Sequence, residues 1–123
     1  MASAKPVKYP KMPIEVQIGT QLWAIEERNR NRDSALSDDS YGYTLHRDSL
    51  IVIDSLATPS RKRQTLLHEL MHAVRHSIGS PITPKNDDDS DTWEHFFIGM
   101  YEEGLLLIIR ENPHVLDYLL SDE

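Results

Sequence analysis

The 123-residue sequence has no cysteine, which excludes disulfides and every thiolate metal site and leaves His, Asp and Glu as possible metal ligands. It also has no apolar run near the length of a membrane span, so no membrane partner is expected. The opening MASAKPVKYPKMP lacks the apolar core of a signal peptide, and with the missing cysteine this leads to the expectation of a cytoplasmic protein. Basic charge is in short supply: 13 Lys and Arg stand against 20 Asp and Glu, a net charge of -7. Binding to a nucleic-acid backbone needs a basic surface that releases counterions, so nucleic acid is not an expected partner. The small basic clusters at Lys5, Lys8 and Lys11, at Arg28, Arg30 and Arg32, and at Arg61, Lys62 and Arg63 read as solvated surface.

What the chain does carry is concentrated in residues 64–79, QTLLHELMHAVRHSIG. Leu66, Leu67, Leu70, Met71, Ala73, Val74 and Ile78 recur at the spacing of an apolar helix face. Thr58-Pro59-Ser60 offers capping hydroxyls and a first-turn proline, while Gly79 and Pro81 close the other end. Within this helix, His68-Glu69-Leu70-Met71-His72 is an H-E-x-x-H pattern. The 3.6-residue period puts His68 and His72 one turn apart on one face, so both imidazoles can reach a single metal ion. Glu69 is offset from them, which lets its carboxylate address a metal-bound water, as a zinc hydrolase requires. The competing reading is a core helix that happens to carry two solvated histidines.

A catalytic zinc takes three protein ligands. His76 continues the series but lies about 12 Å from His68 along the axis, too far for one ion. The longer pattern with a turning glycine and a third histidine is excluded, because Arg75 and Ile78 occupy those positions. Residues 92–110 read as a second long helix on which Glu94 shares a stripe with Phe97, Ile98, Tyr101 and Leu105. Glu94 is therefore the candidate third ligand, with His95 as runner-up. The alternative for Glu94 is a capping box closed from Asp91. For stabilising a developing oxyanion, Tyr43, His95, Tyr101 and His114 are unranked candidates.

The rest of the chain reads as one domain. Residues 1–13, with three prolines and scattered lysines, form a flexible or extended arm before a single domain over residues 14–123. Ile14, Val16 and Ile18 alternate with polar residues as a half-buried strand does. Gly19 then marks a bulge or turn before residues 22–26 continue, giving one bent strand or two short ones. Residues 29–40 are a polar loop with a single Leu36. Tyr41, Tyr43 and Leu45 alternate again, and residues 50–53 form a continuous apolar run. The expected fold is α+β: a small three-stranded, mostly antiparallel sheet, covered by the H-E-x-x-H helix, a second long helix and a short C-terminal helix with Val115, Leu116, Leu119 and Leu120 on one side. Asp87, Asp89 and Asp91 lack the glycine and glutamate of a calcium loop and read as solvated acid.

The HELMHA core after its TLL lead-in, the small sheet ending in an apolar strand, a glutamate on the next helix and the closing ENPHVLDYL resemble the minigluzincin group, especially ImmA/IrrE-like and phage-encoded metallopeptidases. The resemblance covers residues 14–120. It implies that His68, His72 and Glu94 bind Zn2+, that Glu69 is the general base, and that the sheet edge receives a peptide or protein substrate as an added strand. The function expected is zinc-dependent peptide-bond hydrolysis. Its rivals are a catalytically silent zinc-bound regulatory module and a metallohydrolase of a non-peptide bond.

Overall fold

A computed structural model describes residues 11–36, 39–78 and 83–121. Most of the expected arm, residues 1–10, and the helix-closing Gly79 and Pro81 lie outside the described residues. The elements are β1 (Glu15–Ile18), β2 (Gln21–Arg28), β3 (Gly42–Leu45), β4 (Leu50–Asp54), α1 (Pro59–Ile78), α2 (Ser90–Glu111) and α3 (Pro113–Leu119).

The α+β class holds, but the sheet has four strands in the order β1-β2-β4-β3. The expected three strands become four because the chain turns at Gly19 and Thr20 and folds residues 15–28 into an antiparallel hairpin. The sheet is also mixed instead of mostly antiparallel. In the sheet β3 forms the outer edge and β4 lies between β2 and β3, parallel to β2 and antiparallel to β3. A central strand must be apolar on both faces. Ile51, Val52 and Ile53 meet that demand and are fully inaccessible, as the continuous apolar run predicts.

The core forms between this sheet and α1. Val16 and Ile18 of β1, Trp23 and Ile25 of β2, and Ile51 and Ile53 of β4 cluster with Leu66, Leu70, Ala73 and Val74. Each of these large aliphatic side chains contributes about 1.5–3 kcal/mol on full burial, so the cluster fixes which face of α1 is turned inward. Thr58 caps α1, its hydroxyl accepting from the Arg61 N–H at 3.3 Å. At the far end, the Trp23 indole N–H donates to the Ser77 hydroxyl.

The buried face of α2 differs from the expected stripe. Phe96, Met100, Gly104 and Ile108 are inside, while Phe97 and Ile98 are about half exposed. Apolar side chains lie on more than one face of the helix, and the buried line is the one that carries Gly104. At Gly104 a β-carbon would collide with the Val74 and Ile78 side chains of α1, and glycine is what permits that approach.

Asn112 ends α2 and begins α3, and it also ties both to the sheet. Its carboxamide accepts from the Gln17 N–H at 2.8 Å and donates to the Gln17 carbonyl at 2.7 Å, imitating a strand neighbour for β1. It is 1 % exposed. Val115 and Tyr118 then pack α3 onto the core, whereas Leu120, expected on the inner side, is exposed. Asn112→Ala strips both partners from Gln17, and the expected cost is on the order of 2–4 kcal/mol. Urea unfolding should show a lower midpoint at unchanged slope, and a midpoint equal to wild type would refute this role for Asn112.

Candidate metal centre

The helix that fills the core with one face presents chemistry on the next. His68, His72 and His76 are exposed along α1, and Thr65 and Glu69 are buried on the side turned to β3. The His68 and His72 rings lie edge to face with centroids 5.0 Å apart. Gly42, Tyr43 and Thr44 of β3 and His68, Glu69, His72 and His76 of α1 line one open cleft. A second hollow continues it past Glu69 toward Tyr41, Arg61 and Gln64.

The separation of β3 from α1 is set at Gly42. A β-carbon there would stand 2.7 Å from the Val52 carbonyl oxygen and 2.8 Å from Thr65 Cγ2, so only glycine allows the strand to lie this close. Two residues on, facing the same way, the Thr44 hydroxyl donates to Glu69 Oε1 at 2.9 Å. Glu69 is 5 % exposed, and its other oxygen, Oε2, is 3.8 Å from His68 Nε2.

Tyr43 points the other way. Its hydroxyl donates to Asp33 Oδ2 at 2.6 Å and accepts from Arg28 Nη1 at 3.0 Å. The Tyr43 hydrogen bond holds the Asp33 carboxyl below the usual range, and burial, with Asp33 close by, raises the Tyr43 phenol. With its proton committed to Asp33, Tyr43 is not placed as an oxyanion donor. His114 is committed as well, its Nε2 lying 2.8 Å from the Glu15 carbonyl oxygen. His95 is exposed near Asp91, at 3.6 Å, and Tyr101 packs partly buried against the core.

Glu94 is exposed on α2. It does not close a capping box, because Asp89 is the N-cap and accepts from the Thr92 N–H at 2.8 Å. Among the described residues, no group of three His, Asp or Glu side chains is assembled as a metal site. Two imidazoles on one helix face fit two ligand positions of a zinc ion; the third is not formed in this arrangement.

Three residues at the cleft were missed by reading the sequence. Gly42 and Thr44 are the helix-facing positions of β3, although alternation of Tyr41, Tyr43 and Leu45 suggested the opposite face. His46, in the turn between β3 and β4, stacks on His76 with ring centroids 4.4 Å apart. A polar residue two positions from a glycine on an edge strand was the available signal for Thr44. Nothing local marked His46.

The family model for the IrrE N-terminal-like domain, Peptidase_M78, matches residues 28–101, and the chain belongs to this ImmA/IrrE-like metallopeptidase family. Searches of curated proteins and of solved structures each returned no match. The matched segment includes β3, β4, α1 and Glu94.

Although His76 is exposed as a whole, partial desolvation of its ring, followed by the nearby charges of His46, Arg75 and His72, lowers its pKa from the ordinary histidine value of 6.5. The fold therefore favours the neutral ring: this contribution to stability is complete above about 6.5 and declines as pH falls toward the lower folded-state value. In metal-free protein followed by NMR, His76 should titrate below a free histidine, and His46→Ala should move it back toward 6.5. A His76 midpoint at or above the ordinary value would contradict the packing of this pair.

Proposed function

We propose that the chain is a zinc-dependent peptidase in which His68, His72 and Glu94 hold the metal and Glu69 is the general base. One observation carries the reading: Glu69 is buried between α1 and β3, yet lines an open cleft together with both motif histidines. Glu94 enters through the family resemblance, supported by its freedom from the capping role that Asp89 fills. Zinc, when bound, supplies a Lewis acid that acidifies water and polarises a carbonyl.

The protein's own groups account for the remaining work. Glu69 takes the proton of the attacking water and passes it to the departing amine nitrogen, a transfer typically worth about a hundredfold to ten-thousandfold. The strand β3 lies at the end of the sheet order and borders the cleft, which supports docking of an extended substrate by backbone pairing along its outer edge. Such pairing presents a peptide carbonyl alongside α1 without requiring a particular side chain.

Wild type and Glu69→Gln, both zinc-loaded, should be compared by mass spectrometry on a peptide library and on candidate protein substrates. Glu69→Gln should keep fold and zinc content and lose cleavage by at least about a hundredfold. Cleavage that survives the substitution would refute Glu69 as base. Absence of cleavage in both, with equal partner binding, would favour the silent regulatory module.

The ligand set has its own measurement. Zinc affinity should fall far more in Glu94→Ala than in His76→Ala, and mildly acidic pH should release the metal because a protonated imidazole cannot coordinate. The reverse ranking of the two variants would overturn the assignment of Glu94.

A further inference from the structure

We infer that Thr44 is the positioning residue for the base: its hydroxyl pins one carboxylate oxygen of Glu69 so that the other is left facing the histidines. The inference rests on the peptidase reading and adds to it the group that orients Glu69. Thr44 Oγ1 donates to Glu69 Oε1 at 2.9 Å and also lies 3.3 Å from the backbone carbonyl of the same residue. A hydroxyl has one hydrogen, and the carboxylate oxygen at the shorter distance is the better-placed acceptor. Among the described residues no other hydrogen bond to the Glu69 carboxylate is formed.

Three features make this contact more than a chance surface bond. Glu69 is almost fully buried, so its carboxylate cannot exchange the threonine for bulk water without leaving its place. Threonine is β-branched on a strand, which narrows its side-chain rotation and fixes where the hydroxyl points. Strand and helix are also held in register nearby, by the close approach at Gly42 to Val52 and Thr65. A freely rotating carboxylate has two equivalent oxygens and no preferred direction. With Oε1 bound to Thr44, Oε2 is the oxygen on the His68 side, at 3.8 Å from Nε2, and is the one placed to take the proton.

Thr44→Val removes the hydroxyl while keeping shape, branching and strand preference. Its backbone remains available along β3, so substrate pairing should persist. In zinc-loaded protein the expected result is a fall in kcat of about tenfold to a hundredfold with KM changed by less than about twofold, since small losses of orientation cost rate more than binding. Thr44→Ser, which keeps the donor, should recover most of the rate. Zinc content should match wild type in both variants. A Thr44→Val enzyme with wild-type kcat, alongside an inactive Glu69→Gln, would overturn the positioning role and leave the peptidase reading intact. An effect confined to KM, or no recovery with serine, would overturn it equally.

A readout independent of activity separates this inference from the reading beneath it. In a double-mutant cycle on stability, Thr44→Val should lower the urea midpoint in the wild-type background and have little effect in the Glu69→Ala background. If wild-type cleavage proves insensitive to Glu69→Gln, the assignment of Glu69 as base fails, and coupling in this cycle still reports whether the two side chains hold one another. Equal effects of Thr44→Val in both backgrounds would show that they do not.

Discussion

The close approach of β3 to α1 at Gly42 is the constraint on which the site depends. With no side chain between them, a strand backbone and a helix lie near enough for a threonine hydroxyl to reach a glutamate on the helix. A larger residue at Gly42 would have to displace the Val52 carbonyl or the Thr65 side chain, and the first belongs to the central strand. Widening this seam would uncover Glu69 and remove its hydrogen-bond donor in one step. The placement of Glu69 and the packing of the sheet therefore share a single structural requirement.

Burial of Glu69 has an energetic side. A carboxylate taken out of water costs several kcal/mol unless it gains hydrogen bonds or an opposing charge. Thr44 provides one such bond, and the adjacent histidines mark the side on which a cation would be held. The apolar face of α1 offsets the remainder. Leu66, Leu70, Ala73 and Val74 are fully buried against the sheet, so the helix cannot rotate to bring Glu69 into solvent without exposing them.

How much of this was legible in the sequence varied with the physical signal. The helix α1 was readable because period, cap and motif agree: Thr58 caps it and Leu66, Leu70, Ala73 and Val74 are buried at the expected spacing, although Leu67, expected on the same face, is exposed. The central strand was readable from its unbroken apolar run. The number of strands was not, since Gly19 is equally compatible with a bulge or a hairpin turn until pairing is known. On β3 the alternation misled, because the helix-facing positions are chosen for small size and hydrogen bonding, as Gly42 and Thr44 are, and not for hydrophobicity. On α2 the apolar residues surround the helix, so nothing in the pattern separated the true inner line through Phe96 and Met100 from the neighbouring one through Phe97 and Ile98. The expected inward position of Glu94 was lost with that choice.

An edge strand of four residues, paired on one side, has little to hold it in place. Here its two faces do so by different means. Toward the helix, Thr44 is tied to Glu69. Away from it, the Tyr43 hydroxyl joins Asp33 of the long polar loop and Arg28 at the end of β2, and Leu36 of that loop is buried. The acidic partner stays ionised because the Tyr43 bond favours its charged form. Among the described residues β3 is paired only with β4, so its outer edge is not taken up by another strand, the arrangement an extended peptide needs in order to pair with it.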